Sequence, residues 1–355
     1  MPLRATSPVM LAANVTPAPR RVDARQVTLT VTDAFIIPAY RTLADATQRQ
    51  EGAWTYFNQM RETGSFALLS AGYALVADAW AMAQLIKTGP ITLFLRYDRF
   101  AYWPEARNAT QRALDELLAS HDPKDLAPET LAHDSVAGQG LTALERLLYD
   151  GPNPAAALRA PRAAGAWRAQ VGLALAKNLN LIAHDVLKDW TAPNGVRAAI
   201  AANKGWNNLF ADGAEAAHLL LTDLVTAFKT MHDVKLLPVL GADAAAAKPK
   251  LAEAWRSGRS ARDLKLNLSA AHDMAKAFAR TIPEAHQAQL ETVFSAAEAA
   301  LGAAPADMGE AAADLKRRPR VEAARVAIKA AQTAVAKVLP TDLGVTIGFN
   351  SLDGD

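Results

Sequence analysis

The stretch FALLSAGYALVADAWAMAQLI, residues 66–86, decides which kind of helical protein this chain forms. It is the longest apolar run, and it is long enough to span a bilayer, which takes about 20 residues. Asp78 stands near its middle, with Ser70, Tyr73 and Gln84 around it. Because a charged side chain is costly in hydrocarbon, we interpret 66–86 as a buried helix of a bundle. No transmembrane helix is predicted.

Helical patterns also dominate the chain on both sides of this stretch. Alanine is abundant and strong β-formers are sparse outside short runs, which favours helices. The sequence predicts helices over 31–61, 66–86, 106–120, 138–149, 162–190, 206–232, 260–280, 284–302 and 308–337. The aromatic-rich segment 91–107 is predicted to be a short strand or an extended segment packed on the bundle. The predicted fold class is therefore all-α.

The length of 355 residues suggests two domains, at about 100–200 residues each. The best boundary is TAPNG, residues 191–195, because proline, asparagine and glycine there follow a long helix. We expect 1–27 to be a disordered N-terminal segment. We expect 28–192 and 193–355 to be two up-and-down helical bundles, the second with a C-terminal tail, since short loops join antiparallel helices in such bundles.

The composition excludes several functions. The net charge is +2 with 21% charged residues, whereas a nucleic-acid-binding protein shows a concentrated basic stripe. The one dense basic run, LKRRPR at 315–320, contains Pro319 and is interpreted as a loop or a helix end. The chain has no cysteine, which excludes disulfides, thiolate catalysis and cysteine metal ligands. No nucleic-acid partner is therefore predicted.

The stretch GLTALERLLYDG, residues 140–151, is the first candidate for chemistry. Its leucines recur at helical spacing and form a core face. Thr142, Glu145 and Tyr149 form a second, more polar stripe on the same helix. Gly140, at its start, lets the backbone enter the helix tightly or lets another segment approach closely. A solvated glutamate at an ordinary helix start is the alternative interpretation.

The stretch RSGRSARD, residues 256–263, is the second candidate. Ser260 and Asp263 have the spacing of a helix N-cap and its capping-box partner. A helix N-terminus preceded by Arg256 and Arg259 also favours binding of an anion. The two interpretations are compatible.

The histidines offer little for a metal site. Five of the seven precede an aspartate: His121, His133, His184, His232 and His272. Adjacent residues on a helix do not face each other, so these pairs are not predicted to be dyads. Glu215 and His218 share a helical face, but carboxylate-bridged metal bundles need a second such pair, and we interpret this one as a surface contact.

Several stretches together resemble the imelysin-like family, also called the insulin-cleaving membrane protease or iron-regulated protein group. They occur in the family's order and cover most of the chain: FIIPAYRTLADAT (35–47), KTGPITLFLRYDRFAYWPEARN (87–108), GLTALERLLYDG (140–151), KPKLAEAWRSGRSARDLKLNL (248–268) and LGVTIGFNSLDGD (343–355). The family's hallmark is Gly-x-His-x-x-Glu followed by an apolar run. The resemblance implies that 256–263 lies near the motif helix, across the domain junction. The candidate ligand-binding residues are then Gly140, Thr142, Glu145, Arg256, Ser257, Ser260 and, as a wall, Trp103.

This chain departs from the family at the motif histidine, whose place Thr142 takes. A threonine hydroxyl is a poor ligand for zinc or iron. A zinc hydrolase needs about three protein ligands plus an open position, and the motif offers one carboxylate, Glu145. The resemblance therefore implies the architecture more directly than the peptidase activity for which the family was named, and no catalytic residue is assigned.

The resemblance leaves three functions open. The first is a periplasmic binding protein in iron or metal uptake, holding a small ligand, metal or peptide at the domain junction. The second is a metallopeptidase of the imelysin type, and the third is a non-catalytic structural or partner-binding periplasmic protein. Iron or zinc are the cofactors considered, with Glu145 as a candidate ligand. Residues 1–26 lack the apolar core of a signal peptide, so we expect the chain to begin after a removed signal, with a membrane tether in the precursor as an open alternative.

Overall fold

Helices make up the regular structure in the computed structural model, which describes residues 22–105, 107–160 and 163–348. No β-strand occurs in these ranges, and the only bridge is an isolated one between Trp206 and Phe210. The predicted all-α fold is therefore confirmed. Residues 349–355, the end of the last stretch that resembles the family, lie outside the described residues.

The first half of the chain is built around three long helices. Its helices are α1 (Ala24–Val31), α2 (Ile37–Gln59), α3 (Phe66–Ala83), α4 (Arg96–Phe100), α5 (Ala109–Ser120), α6 (Pro128–His133), α7 (Leu141–Tyr149), α8 (Pro154–Arg159) and α9 (Ala163–Thr191). Helix α2 packs along α3 and α9. The fully buried Trp54 of α2 fits against Gly172 of α9, where a Cβ would lie 2.2 Å from the indole ring. The missing side chain therefore lets the two helices approach closely.

The second half is also built from packed helices. They are α10 (Val196–Ala201), α11 (Gly213–Lys229), α12 (Leu237–Leu240), α13 (Ser260–Phe278), α14 (Glu284–Gly302), α15 (Met308–Ala312) and α16 (Arg318–Leu343). Helix α14 packs along α16, and α11 contacts both α16 and α13. Phe228 and Phe294 are fully buried between these helices, with ring centroids 5.8 Å apart.

Helices from the two halves also pack on one another. Helix α1 lies against α11, and α13 lies against α3. The predicted boundary, 191–195, falls in the short connection between α9 and α10. The division into bundles 28–192 and 193–355 stays a prediction, and the contact between α3 and α13 lies beside the candidate site.

Helix α3 covers most of the apolar stretch 66–86. Among the described residues it is the one helix long and apolar enough to cross a membrane, and half of that window is buried inside the protein. Asp78 on α3 pairs with Arg259 and Arg262, the latter with a Nε to Oδ1 distance of 2.8 Å. The charge in the apolar run is thus used in an ion-pair cluster with α13, which supports the interpretation as a bundle helix.

The prediction of a strand or extended segment over 91–107 is wrong for its first half. A 3₁₀ segment, Gly89–Leu95, leads directly into α4. Arg96 ties this segment to α9, because its guanidinium lies 2.7 Å from a carboxylate oxygen of Asp189 and 3.5 Å from one of Asp185. Ion pairs with a distant helix thus determine a conformation that the local pattern of aromatic residues does not reveal.

One other predicted helix is divided in the structure. The predicted helix 308–337 is two helices, because α15 ends at Ala312 and α16 begins at Arg318, with Pro319 in the first turn where proline is tolerated. The basic run 315–320 therefore covers a loop and a helix start, as predicted. Buried Arg318 donates to the carbonyl of Leu240 at 2.6 Å.

The predicted disordered segment, 1–27, lies outside the described residues up to position 21. Its last four residues form the first turn of α1 instead. Asp23 caps this helix by accepting a hydrogen bond from the backbone N–H of Gln26 at 3.3 Å, and Val27 packs into the core. An aspartate cap followed by a buried valine starts the helix earlier than the scattered prolines suggest.

Candidate ligand site

A cavity of about 400 Å³ lies where the two halves of the chain meet. Helix α3, the segment 101–105 with Asn108, and helix α7 line it from the first half. The segment 250–256 and helix α13 line it from the second. Its walls carry Trp80, Trp103 and Trp255. This size falls within the range of about 300–1,000 Å³ that small-molecule sites occupy.

Helix α7 brings the first sequence motif to this cavity. Leu144, Leu147 and Leu148 are buried in the core, as the helical spacing predicts, while Thr142 and Glu145 line the cavity. Glu145 is 3% exposed, so the alternative of a solvated glutamate is wrong. Its carboxylate is held inside the protein.

Ser257 from the second half holds Glu145 in place. Its backbone N–H donates to Oε1 of Glu145 at 2.9 Å, and its hydroxyl donates to the same oxygen at 2.7 Å. Burial raises the pKa of Glu145, whereas the bonds from Ser257 and the charge of Arg256 act in the opposite direction. Two hydrogen bonds thus join the motif helix to the second half.

Arg256 lies beside this contact but binds another carboxylate. Its Nε donates to Asp150 at 2.8 Å, and its guanidinium stacks on Trp255, 4.4 Å from the ring centroid. Arg256 and Ser257 thus both approach the motif helix. The partner of Arg256 is Asp150. Asp150 follows α7 directly and so belongs to the same structural unit as Glu145.

Ser260 is placed differently from the prediction. Helix α13 begins at Ser260 itself, Arg259 occupies the N-cap position, and no side chain caps the helix. The Ser260 hydroxyl instead donates to the backbone carbonyl of Glu253 at 2.6 Å. The capping box with Asp263 is therefore wrong, because the hydroxyl stabilises the preceding loop and Asp263 turns into the cavity lining.

Thr142 and Trp103 line the cavity. The Thr142 hydroxyl donates to the backbone carbonyl of Tyr102 at 3.3 Å. The ring of Trp103 lies 5.7 Å from the ammonium nitrogen of Lys235. Trp103 is half-buried, so it is a wall of the cavity rather than a core residue.

Gly140 sets the position of α7 without lining the cavity. A Cβ at this position would lie 2.3 Å from the carbonyl oxygen of Phe100 and 2.5 Å from that of Arg99. Its φ of −119° is open to any residue. Close approach of another segment, one of the two roles considered from sequence, is thus the reason for glycine here.

Glu253 and Asp263 also line the cavity, and Lys235 lies next to it without being part of the lining. Buried Lys235 donates to Asn267 at 2.6 Å and to Gln84 at 3.2 Å, and it pairs with Glu253. Asp263 is 5% exposed, and burial, reinforced by the charge of Glu253, raises its pKa to about 7. No local spacing signals these contacts, since they join α3, α13 and the loop before α13.

The raised pKa of Asp263 predicts how stability depends on pH. A carboxyl whose pKa is higher in the folded state than in the unfolded state makes the protein less stable as pH rises between the two values. Asp263→Asn should therefore become progressively more stable relative to the unmodified protein from about pH 4 to about pH 7. Urea unfolding at several pH values measures this difference, and a difference that stays constant with pH would contradict it.

The donor set around Thr142 and Glu145 does not fit a zinc hydrolase centre. The histidines are absent from the cavity lining, and the described residues contain no group of three or more His, Asp or Glu that is arranged to hold a metal ion. Glu215 accepts from the backbone of Ala211, while His218 contacts Thr346, so the predicted Glu–His surface contact is not formed. We derive no catalytic step through a metal.

One histidine–aspartate neighbour pair does make contact, contrary to the helical rule. His232 Nδ1 lies 2.5 Å from Oδ1 of Asp233, and its Nε2 faces Arg325 at 2.7 Å. The pair lies in a π-helical stretch, Thr230–Leu236, where side-chain directions differ from those in an α-helix. It lies outside the cavity lining.

Comparison with known proteins agrees with this architecture. The family model for imelysin, a peptidase family, matches residues 36–336. An imelysin-like protein from Psychrobacter arcticum 273-4 superimposes with a TM-score of 0.71 at 18% identity, over 93% of this chain and 99% of that one. The protein named "putative iron-regulated protein A precursor" from Parabacteroides distasonis ATCC 8503 gives a TM-score of 0.72 at 13% identity, over 93% and 97%. No curated protein sequence matches the chain.

Proposed function

We propose, from the premise that this chain belongs to the imelysin family, that it is a binding protein rather than a peptidase. Its ligand is held in the cavity between the two halves. The observation that carries this proposal is the bond between buried Glu145 and Ser257, which joins the halves at the cavity. A ligand that contacts both halves of the chain would be enclosed where Glu145 and Ser257 join them.

The chemistry of the motif favours binding over metal-assisted hydrolysis. Thr142 offers a hydroxyl where the family motif has an imidazole, which is a far better ligand for zinc and iron. Glu145 already accepts two hydrogen bonds on one oxygen. A single hard oxygen donor is too little for tight metal binding without partners.

A role in iron or metal uptake, and export to the periplasm, are part of the same proposal. They rest on the name of the Parabacteroides distasonis protein, which describes it as iron-regulated and as a precursor. We extend both properties to this chain as a proposal, with a membrane tether in the precursor as the open alternative. Fractionation of cells that express the full gene tests the location, and purely cytoplasmic protein would contradict it.

A metallopeptidase remains the second candidate, because the matching family model is that of a peptidase family. A structural or partner-binding protein with an inactive cleft is the third. A peptidase, a structural protein and a binding protein predict different behaviour of the cavity. A peptidase loses activity with a chelator, and a purely structural protein leaves the cavity without a ligand.

The replacement Thr142→His separates these functions. The unmodified protein, purified without chelator, should contain no stoichiometric zinc or iron and should not cleave unfolded casein in a chelator-sensitive way. Thr142→His should gain zinc affinity by about ten-fold or more, because it restores an imidazole beside Glu145. Elemental analysis and zinc titration measure both.

The matched control is Thr333→His, which places an imidazole on an exposed part of α16. It should bind zinc no better than the unmodified protein. Stoichiometric metal in the unmodified protein that disappears in Thr142→Ala, or chelator-sensitive cleavage of casein, would show that the proposal is wrong.

A further inference from the structure

The cavity contains two buried carboxylates with acceptor oxygens that no donor occupies. Both bonds from Ser257 go to Oε1 of Glu145, and no described residue donates to Oε2. Asp263 accepts no hydrogen bond from any described residue, although Arg259 Nη2 lies 3.2 Å from its Oδ1. Buried polar groups are nearly always hydrogen-bonded, so the buried Oδ1 of Asp263 in particular calls for a hydrogen-bond donor that the described residues do not supply.

Both carboxylates line the cavity together with Tyr73 and influence its hydroxyl. Burial, and then the charges of Glu145 and Asp263, raise the pKa of the Tyr73 hydroxyl. Glu145 comes from α7 and Asp263 from α13, and both line the cavity together with Tyr73. A small group that enters here meets a carboxylate from each half of the chain.

The nearby cations are already engaged by other partners. Lys235 pairs with Glu253 and donates to Asn267. Arg259 and Arg262 both bind Asp78, and Arg259 also forms an ion pair with Asp263 at 3.2 Å. Among the described residues no cation forms an ion pair with Glu145, and the one paired with Asp263 does not hydrogen-bond to its Oδ1.

Arg256 and Arg146 on the other side of the cavity are engaged in the same way. Arg256 binds Asp150, while Arg146 binds Glu105 at 3.0 Å and Asp150 at 2.9 Å. The free acceptors therefore match a ligand that brings its own positive charge.

The walls around these carboxylates suit an apolar body. Trp80 stacks on Phe100 with centroids 4.4 Å apart, and it lines the cavity together with Trp103. Elsewhere in this cavity indole rings already attract cations, as Trp255 does with Lys250 at 5.4 Å. Aromatic faces attract a nearby cation through the quadrupole of the ring.

We propose that the cavity binds a small organic amine, whose ammonium group is held by Glu145 and Asp263 and whose apolar part packs against Trp80 and Trp103. This inference rests on the proposed function, because it names the ligand class of the same cavity. A divalent metal ion is the less suitable occupant, since calcium, for example, takes about 6–8 oxygen ligands and the described residues offer no group of three metal-binding side chains.

Three probes of matched size test the charge preference: 2-phenylethylamine, 3-phenylpropionate and 2-phenylethanol. Calorimetric titration and tryptophan fluorescence at about pH 8 and low salt should show the amine binding at least about ten-fold more tightly than the other two, since a hydrogen bond to a charged group is worth about 1.5–3 kcal/mol. Asp263→Asn and Glu145→Gln should each weaken amine binding by about ten-fold. In both variants the amine should lose more affinity than the alcohol, which carries no charge.

The control variant is Asp273→Asn, which removes an exposed carboxylate from α13 outside this cavity. It should leave amine binding unchanged. This control separates a contact with the ammonium group from a general change in protein charge.

The affinity for the amine should also rise with pH. Asp263 must be ionised to hold an ammonium group. Burial and the charges of Glu253 and Asp78 raise its pKa to about 7, while the charges of Arg259 and Lys235 act in the opposite direction. Binding should therefore tighten from about pH 6 to about pH 8 in the unmodified protein and be nearly constant in Asp263→Asn. A pH-independent affinity in the unmodified protein would contradict the role of Asp263.

The remaining outcomes distinguish this inference from the proposed function. Tighter binding of 3-phenylpropionate would overturn the amine preference and leave the cavity as a ligand site. Amine binding that is unchanged in both Asp263→Asn and Glu145→Gln would overturn it as well. If no probe binds, the amine inference fails, and the casein and zinc measurements on Thr142→His still decide the proposed function.

Discussion

Replacing Lys235 with alanine should lower the free energy of unfolding by about 3–5 kcal/mol, the cost of removing one partner from a buried ion pair. The Lys235 side chain is 6% exposed, and its ammonium group serves Glu253, Asn267 and Gln84 at once. The substitution leaves the half-buried Glu253 without its counter-charge, close to Asp263. It also removes the link from this lysine to the loop that carries Ser257.

Urea unfolding at neutral pH measures this loss, and Lys276→Ala is the matched control. Lys276 is 55% exposed and lies 3.5 Å from Glu291, and exposed pairs of this kind contribute only about 0–1 kcal/mol. The double variant Lys235→Ala with Glu253→Gln should recover part of the stability, because it removes the uncompensated charge. A loss below about 1 kcal/mol in Lys235→Ala would mean that water replaces the ammonium group without cost.

The helices were predictable because their apolar residues repeat at helical spacing over long stretches. The stretch 66–86 illustrates this, since its one charge, Asp78, excluded a membrane span and then proved to be an ion-pair partner of Arg259 and Arg262. The segment around Arg96 was not predictable. Its conformation depends on Asp185 and Asp189, about ninety positions further along the chain.

In the candidate site, too, some residues were predictable from the sequence and others were not. Thr142, Glu145 and Ser257 came together as the family resemblance implied, because the motif and its partner segment are both visible in the sequence. Asp263 was missed as a cavity residue, and Lys235 was missed as the partner of Glu253 beside the cavity. Lys235 lies beyond the predicted end of a helix at 232, which in the structure continues through a π-helical stretch, and Asp263 had a plausible local role as a capping partner.

Replacing Gly140 with alanine should destabilise the protein by about 3 kcal/mol, at the upper end of the usual cost of overpacking. The added Cβ would lie 2.3 Å from a backbone oxygen of Phe100 and 2.5 Å from one of Arg99. Backbone atoms move less easily than a flexible side chain, and the Arg99 side chain is itself fixed by Gln139 at 2.8 Å. Helix α7 or the end of α4 must therefore shift.

The matched control is Gly52→Ala in the middle of α2, where a Cβ meets nothing within 4 Å. This variant should gain about 0.5–1 kcal/mol, since alanine is the better helix former. Neither glycine has a positive φ, so neither position requires a backbone conformation that only glycine adopts. The difference in stability between the two variants therefore reports the steric contact of the added Cβ. A shift of α7 in Gly140→Ala would also move Glu145 away from Ser257, so the variant should lose affinity for 2-phenylethylamine even where it remains folded. Equal stability of the two alanine variants would show that the segment before α7 yields freely, and the glycine that opens the motif would then have no packing role.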